Sequence, residues 1–123
     1  MPGSCLKEYR SIQTLDLIKR AAQLAEDKKA EDIVIYDLTG ICSFADYFFI
    51  CSGDNRIQVN AIAEEIVKEL KKEEVRAHHK EGGSESEWIL LDYNQVVMHI
   101  FTHDMRKFFA LDTIWGDAPR VEW

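Results

Sequence analysis

The pattern of hydrophobic and polar residues is most distinctive across residues 81–101. This stretch opens with Gly82-Gly83 and a short polar loop, and two apolar runs follow at residues 88–91 and 96–101. Two runs rich in β-branched and aromatic residues, joined by a short polar segment, are typical of a β-hairpin. Because the apolar residues are nearly continuous, we predict that both faces of the hairpin are covered, one by helices and the other by a partner.

Helical periodicity appears in three other stretches. An apolar stripe within residues 17–25 predicts a helix that Thr14 caps and that ends near residues 28–29. A second stripe predicts a helix across about residues 55–72. Apolar positions within residues 105–115 predict a last helical segment, which begins at Thr102 or Asp104 and ends before Gly116.

Three further segments have the character of strands. Residues 33–38 and 47–51 are rich in β-branched and aromatic side chains, and the second run is apolar enough to be buried on both faces. Residues 74–79 alternate as a short edge strand does. The order helix, strand, strand, helix, strand, strand, strand, helix predicts a mixed α+β fold, with one sheet of about five strands and helices packed on it.

The chain divides into three parts on this pattern. Residues 1–13 lack periodicity and are predicted to form a flexible N-terminus, residues 14–118 a single domain, and residues 119–123 an exposed C-terminal tail. At 123 residues, of which 46% are hydrophobic, the chain is long enough to bury a core of its own. No apolar run approaches about 18 residues, which predicts that the chain has no transmembrane helix and no membrane partner.

Cysteine usage and charge narrow the classes of function. Three cysteines lie far apart without a Cys-x-x-Cys pair, which fits a reducing cytoplasm and disfavours a disulfide framework. The net charge is −7, and Lys and Arg are scattered rather than clustered. Direct nucleic-acid binding is therefore disfavoured, whereas a basic protein is a well-matched partner.

The spacing of the histidines predicts no metal site. His78 and His79 are adjacent, so in a strand they would point to opposite faces of the sheet. His99 and His103 are predicted to lie in a strand and in the loop after it, and no Cys, Asp or Glu completes a familiar ligand spacing. We interpret His99 as structural and the adjacent pair as solvated, and we expect no cofactor.

Two features resemble catalytic or ligand-binding motifs. Cys42 or Cys51 with His99 would supply a nucleophile and a base, but a thiol inside a buried strand acts as a small apolar group. The turn at residues 52–55 offers backbone donors to an anion, but it lacks the lysine of a P-loop and the further glycines of a dinucleotide site. A similar turn occurs in nucleotidyltransferases, whose paired Asp-x-Asp carboxylates are absent from this sequence. We predict that the chain is not an enzyme.

Surface recognition is the remaining class of function. Trp88 begins a predicted strand directly after the acidic loop at residues 84–87, so it is suited to the core and to an interface alike. A tryptophan beside acidic residues can anchor a basic protein surface. We interpret the aromatic residues of the last helical segment, Phe108, Phe109 and Trp115, as core residues.

Several short segments share their order and spacing with one known family. They are residues 45–48 and 52–53, Gln58 with residues 61–63, Glu81 with Gly82, residues 88–92, residues 96–101, and Arg106 with Leu111 and residues 114–115. Each segment alone is short, but their combination is specific. Across residues 15–118 the chain resembles the Iojap-like family, the ribosomal silencing factors.

The resemblance implies a repressor of translation rather than an enzyme. Such factors bind the large ribosomal subunit through ribosomal protein uL14, on the face that meets the small subunit. They thereby block subunit joining sterically when nutrients are scarce. The family's fold is similar to that of nucleotidyltransferases without the catalytic carboxylates, and its members often occur as homodimers, so a homodimer is a further expectation.

The resemblance also assigns candidate site residues. The family's contact tryptophan corresponds to Trp88, and partner contacts extend to Ile89, Leu90 and Asp92. Signature positions without an assigned role are Asp46, Gly53, Glu81, Gly82, His99 and Arg106. The family's hairpin turn usually carries Gly-Asp where this chain has Asn94-Gln95, and we predict that the turn is kept because asparagine tolerates the left-handed conformation. An interaction module with a different basic partner, or a nucleotidyltransferase-related enzyme, remains an alternative.

Overall fold

The computed structural model describes the backbone of residues 2–123 and the side chains of residues 14–123. Within these residues the elements, in chain order, are α1 (Pro2–Asp27), β1 (Glu31–Asp37), β2 (Tyr47–Gly53), α2 (Arg56–Lys72), β3 (His79–Glu81), β4 (Trp88–Asp92), β5 (Val96–Thr102), α3 (His103–Phe109) and α4 (Leu111–Ile114). The predicted mixed α+β class with a single five-stranded sheet is confirmed. No helix among the described residues is both long and apolar enough to cross a membrane.

The five strands form one sheet in the order β1-β2-β5-β4-β3. The β2 and β5 strands are parallel, and the other three pairs are antiparallel. Every residue of β2 is buried, as its unbroken apolar run predicts, because helices cover both faces of the sheet at its centre. The predicted hairpin is formed by β4 and β5, and Asn94 takes the left-handed conformation in its turn (φ 74°).

Each face of the sheet has its own apolar core. On one face α1 and α2 pack against side chains that include Phe49, Ile89 and Ile100. On the other face α3, α4 and the loop after β1 pack against a smaller cluster that includes Tyr36, Phe48 and Phe101. The smaller cluster leaves part of its face of the sheet open, and the candidate site lies there.

Of the two long helices, α2 begins near its predicted position and α1 does not. The second helix begins next to its predicted start at residue 55, where Asn55 caps α2: its side-chain oxygen accepts a hydrogen bond from the Gln58 backbone N–H at 2.9 Å. The prediction that Thr14 caps the first helix is wrong, because α1 already begins at Pro2. Residues 4–13 contain no glycine or proline that would stop a helix. The flexibility of residues 1–13 stays a prediction, and Met1 lies outside the described residues.

Two elements differ from their predicted boundaries. The edge strand predicted at residues 74–79 lies at β3 instead, because the turn after α2 occupies the preceding residues: Glu74 has φ 64°, and the Val75 N–H donates to the Leu70 carbonyl at 2.9 Å. The single helical segment predicted for residues 105–115 is two short helices. Ala110 separates them in the left-handed conformation, with φ 51°.

One edge strand of the sheet, β1, is covered by the C-terminal residues, whereas the other, β3, is exposed. Along β1, the Asp37 N–H donates to the Pro119 carbonyl at 2.7 Å and the Val121 N–H to the Ile35 carbonyl at 2.9 Å. The predicted C-terminal tail is therefore hydrogen-bonded to this edge, although its side chains are largely exposed. The opposite edge is β3, which is short and fully exposed and so limits unwanted strand pairing.

Candidate partner-binding surface

The β4 strand presents two different sets of side chains to the two faces of the sheet. Trp88, Leu90 and Asp92 are partly exposed on one face, whereas Ile89 and Leu91 are fully buried on the other, on the side of α2. This alternation follows from the two-residue period of a strand. We call the surface around the first three residues the Trp88 face. The Ile89 side chain, predicted as a partner contact, is a core residue because this period points it away from that face.

An aromatic strip crosses the Trp88 face. Its members, each in contact with the next, are Phe44, Phe48, His99, Trp88, Phe109 and Phe108, with ring centroids 4.9–6.0 Å apart. The middle of the strip is packed into the smaller core, and its two ends reach solvent. Phe44 is 66% exposed and Phe108 is 77% exposed. Our prediction that Phe108 is a core residue is wrong, because it lies on the outer side of α3.

Trp88 is held in a fixed orientation within this strip. Its indole Nε1–H donates to His99 Nδ1 at 3.1 Å, and its ring lies nearly parallel to the rings of His99 and Phe101. His99 is 6% exposed, and burial lowers the pKa of its imidazole to about 4. His99 is therefore neutral near pH 7, with Nδ1 free to accept from the indole and the proton on Nε2. Trp88 is thus partly packed in the core and partly exposed, with its side chain in a fixed orientation.

Gly82, a signature residue, determines the path of the chain into β4. Gly82 has φ 98°, and a Cβ atom at this position would lie 2.6 Å from the Trp88 carbonyl oxygen. Only glycine fits both the conformation and the space. Glu81 is exposed at the end of β3, where its carboxylate pairs with His79 at 2.8 Å.

The remaining signature residues have structural contacts. The Asp46 N–H donates to the Gln95 carbonyl at 2.8 Å, and its carbonyl accepts from the Leu38 N–H at 2.7 Å, so it joins the loop before β2 to the hairpin turn. Gly53 lies against the start of α2, where a Cβ would come within 3.3 Å of Val59. Both residues therefore help to hold the scaffold under the site.

Arg106 is the centre of a polar network that joins α3 and α4 to the sheet. Its guanidinium donates to the Asp112 carboxylate at 2.9 and 3.1 Å, to Ser52 Oγ at 2.9 Å and to the Asp32 carbonyl at 2.6 Å. The Tyr36 hydroxyl donates to the same carboxylate at 2.8 Å. Burial alone would raise the pKa of Asp112, but the hydrogen bonds from Arg106 and Tyr36 outweigh burial and lower it. Sequence reasoning missed Asp112 and Tyr36 as partners because no local pattern joins them to Arg106.

Acidic side chains border the Trp88 face at the loop before β4. The Glu85 side chain is 91% exposed, and Glu87 is partly exposed. Arg56 lies between them, with a guanidinium nitrogen 3.8 Å from each carboxylate. With Asp92 on the strand itself, the border carries more negative than positive charge, which matches the sign of the whole chain.

The structure does not bring Cys51 and His99 together as a nucleophile and a base. Cys51 belongs to the core under α1 and α2, whereas His99 lies on the opposite face of the sheet, so the two cannot act as nucleophile and base. Burial raises the pKa of the Cys51 thiol to about 12, which keeps it protonated. Cys42 lies in the loop between β1 and β2 and is partly exposed.

A cavity of about 560 Å³ lies between α1, the end of α2 and the turn of the β4–β5 hairpin. Leu17, Leu70 and Tyr93 are among the residues that line it, and no member of the aromatic strip does. The Tyr93 hydroxyl is buried and has no hydrogen-bond partner in the described part of the chain. The cavity is therefore separate from the Trp88 face.

Known proteins resemble this chain over nearly its whole length. Residues 11–123 match the family described as ribosomal silencing factor during starvation. The chain is 43% identical over 106 residues to a ribosomal silencing factor of Bacillus subtilis, covering 86% of this chain and 90% of that protein. It is 39% identical over 107 residues to one of Halalkalibacterium halodurans, covering 87% and 92%. A crystal structure from Bacillus halodurans superposes with a TM-score of 0.77 at 35% identity, covering 88% of this chain and 98% of that one. The chain therefore belongs to the ribosomal silencing factor family.

Proposed function

We propose that the chain silences ribosomes by binding the large subunit through ribosomal protein uL14 with its Trp88 face. The bound protein then blocks the joining of the small subunit sterically and represses translation when nutrients are limited. This function needs binding and no catalysis, and it places the protein in the cytoplasm. The names of the relatives, ribosomal silencing factors, support the ribosome as the target.

The observation that carries this proposal is the preorganised Trp88 within the aromatic strip. Interface hot spots are enriched in tryptophan, and a side chain already fixed in its bound orientation loses little entropy on binding. The hydrogen bond to His99 and the packing of the indole against the Phe101 and Phe109 rings supply that fixation. The exposed Phe44 and Phe108 extend the apolar contact area toward the roughly 800 Å² per partner of a standard interface.

Charge supports a ribosomal protein as the partner. The chain has a net charge of −7, and the loop before β4 adds the exposed Glu85 at the border of the Trp88 face. Ribosomal proteins are generally basic, so opposite charges would steer the encounter and fix its register. The predicted homodimer stays a prediction, which sedimentation equilibrium of the protein alone would test.

Co-sedimentation with isolated ribosomal subunits tests the proposal. We expect the wild-type protein to sediment with the large subunit only. Trp88→Ala should weaken that binding by about 2–4 kcal/mol, or roughly 30- to 800-fold in Kd, the range of a hot-spot residue. Normal binding by a folded Trp88→Ala protein, or wild-type protein that sediments with neither subunit, would contradict the proposal.

Controls must separate binding from folding, because Trp88 also packs against Phe101 and Phe109. Thermal unfolding of each variant shows whether the fold survives. Leu90→Ala removes a partly exposed side chain from the same face with less effect on the core, and it should also weaken binding. Ile57→Ala truncates an 82% exposed residue on α2, outside the Trp88 face, and it should bind as the wild type does.

A further inference from the structure

Three metal-ligating side chains converge at one end of the sheet, away from the aromatic strip. Glu31 is the first residue of β1, Asp54 follows the last residue of β2, and His103 follows the last residue of β5. β1 runs antiparallel to β2 and β2 runs parallel to β5, so these three chain positions meet at the same end. The spacing in sequence could not reveal the group, because each residue comes from a different element.

The distances within this group fit a small cation. His103 Nε2 lies 3.2 Å from Asp54 Oδ1 and 3.7 Å from Glu31 Oε1. One ligand atom from each residue lies within 4.8 Å of both others. A tetrahedral Zn²⁺ with bonds of about 2.0–2.1 Å separates its ligand atoms by about 3.3–3.4 Å, so small rotamer adjustments would complete three coordination bonds.

The charge around the group also favours a cation. Among residues 14–123, no lysine or arginine forms an ion pair with Glu31 or Asp54, and His103 is the partner of both. Asp54 and His103 line a shallow cavity of about 500 Å³ together with Asp104 and Glu87. Arg56, which also lines it, lies 3.8 Å from Glu87. The cavity gives an ion and its water ligands access without any opening of the fold.

We propose that Glu31, Asp54 and His103 form a binding site for a divalent transition metal, with Zn²⁺ the best match. Imidazole nitrogen and carboxylate oxygen are both zinc ligands, and three protein ligands with an open fourth position are a common zinc arrangement. Imidazole favours zinc over Mg²⁺ or Ca²⁺. A bound ion would join the starts of β1 and α3 to the loop after β2. The site does not depend on the proposed ribosomal function.

Isothermal titration of the full chain with ZnCl₂, free of affinity tags and chelators, tests the site. We expect one saturable equivalent and a higher Tm with zinc, and no comparable effect from MgCl₂. His103→Arg removes the imidazole ligand and places a permanent positive charge beside both carboxylates. Zinc affinity should therefore fall by more than the about 10- to 100-fold that is typical when only a residue supporting a ligand is lost. Asp54→Asn, which changes no side-chain size, should weaken binding similarly.

The matched control is His79→Arg. His79 pairs with a single carboxylate, Glu81, at 2.8 Å, and no third ligand completes a group there among the described residues. This variant should bind zinc as the wild type does. The proposal is overturned if the wild type binds no stoichiometric zinc, or if folded His103→Arg and Asp54→Asn proteins bind it with unchanged affinity, which would place the ion elsewhere.

Discussion

At the scale of single residues, the Trp88–His99 contact depends on a neutral imidazole. The indole Nε1–H needs an acceptor, and His99 Nδ1 can accept only while it carries no proton. Burial keeps the imidazole neutral near pH 7 because it lowers the pKa of His99 to about 4. Protonation would place a charge among Phe48, Trp88 and Phe101, where water cannot solvate it.

This contact predicts a pH dependence of folding stability. In the unfolded chain His99 has its ordinary pKa of about 6.5, so between about pH 6.5 and 4 the unfolded state binds a proton that the folded state does not. His99 therefore contributes stability fully above pH 6.5, and lowering the pH to 4 removes up to about 3 kcal/mol of it. Urea unfolding of the wild type at pH 7 and pH 5 measures most of this loss.

His99→Asn isolates the effect. The asparagine amide oxygen can accept the indole N–H without titrating, so this variant should lose distinctly less stability between pH 7 and pH 5 than the wild type. The lowered pKa of Asp112 adds acid sensitivity only below its ordinary value of 3.8, outside this range. Equal losses in both proteins would show that His99 is not the source.

At the scale of elements, the entry into β4 depends on the backbone of Gly82. An alanine there would have to adopt φ 98° and place its Cβ 2.6 Å from the Trp88 carbonyl oxygen. We expect Gly82→Ala to lower the free energy of unfolding by more than about 2 kcal/mol, since steric strain and a backbone shift add together. The same shift would displace Trp88, so it should also weaken the proposed binding to the large subunit.

Gly83→Ala is the control for this turn. A Cβ at Gly83 meets nothing within 4 Å, so the substitution should change the free energy of unfolding by no more than about 0.5 kcal/mol. Denaturant unfolding of both variants makes the comparison. If the two substitutions have the same effect, the close approach of Gly82 to Trp88 does not limit this turn.

The hydrophobic pattern of the sequence predicted those helices and strands that depend mainly on neighbouring residues. The apolar runs of β4 and β5, and the start of α2, lie at or next to their predicted positions because hydrophobic period acts within a few residues. The break at Ala110 and the late start of β3 were missed, since non-glycine residues there adopt left-handed conformations that only tertiary packing selects. Trp88 could be singled out from its place after the acidic loop, but the buried position of Ile89 depends on which face of the sheet each residue of β4 points to.

At the scale of the whole molecule, negative charge is spread over the surface, but only part of it lies near the Trp88 face. Glu85 lies in the loop directly before Trp88, where it also pairs with Arg56 at the start of α2. The exposed Glu64 lies farther along α2, which packs on the opposite face of the sheet. Glu85→Gln and Glu64→Gln change the net charge equally, from −7 to −6. The pair can therefore separate the effect of total charge from the effect of its position.

If the Trp88 face docks on a basic ribosomal protein, the position of a removed charge should affect binding more than the change in net charge does. We expect Glu85→Gln to slow association with the large subunit and to reduce its dependence on ionic strength, with little change in dissociation, because border charges act mainly on the encounter. Glu64→Gln should have a smaller effect, since a Debye length of about 8 Å at physiological salt screens charges on the far side. Stopped-flow or surface-based kinetics at low and high salt would measure both rates. Equal slowing by the two variants would indicate steering by net charge alone, and the reverse order would place the docking surface on the α2 side of the molecule.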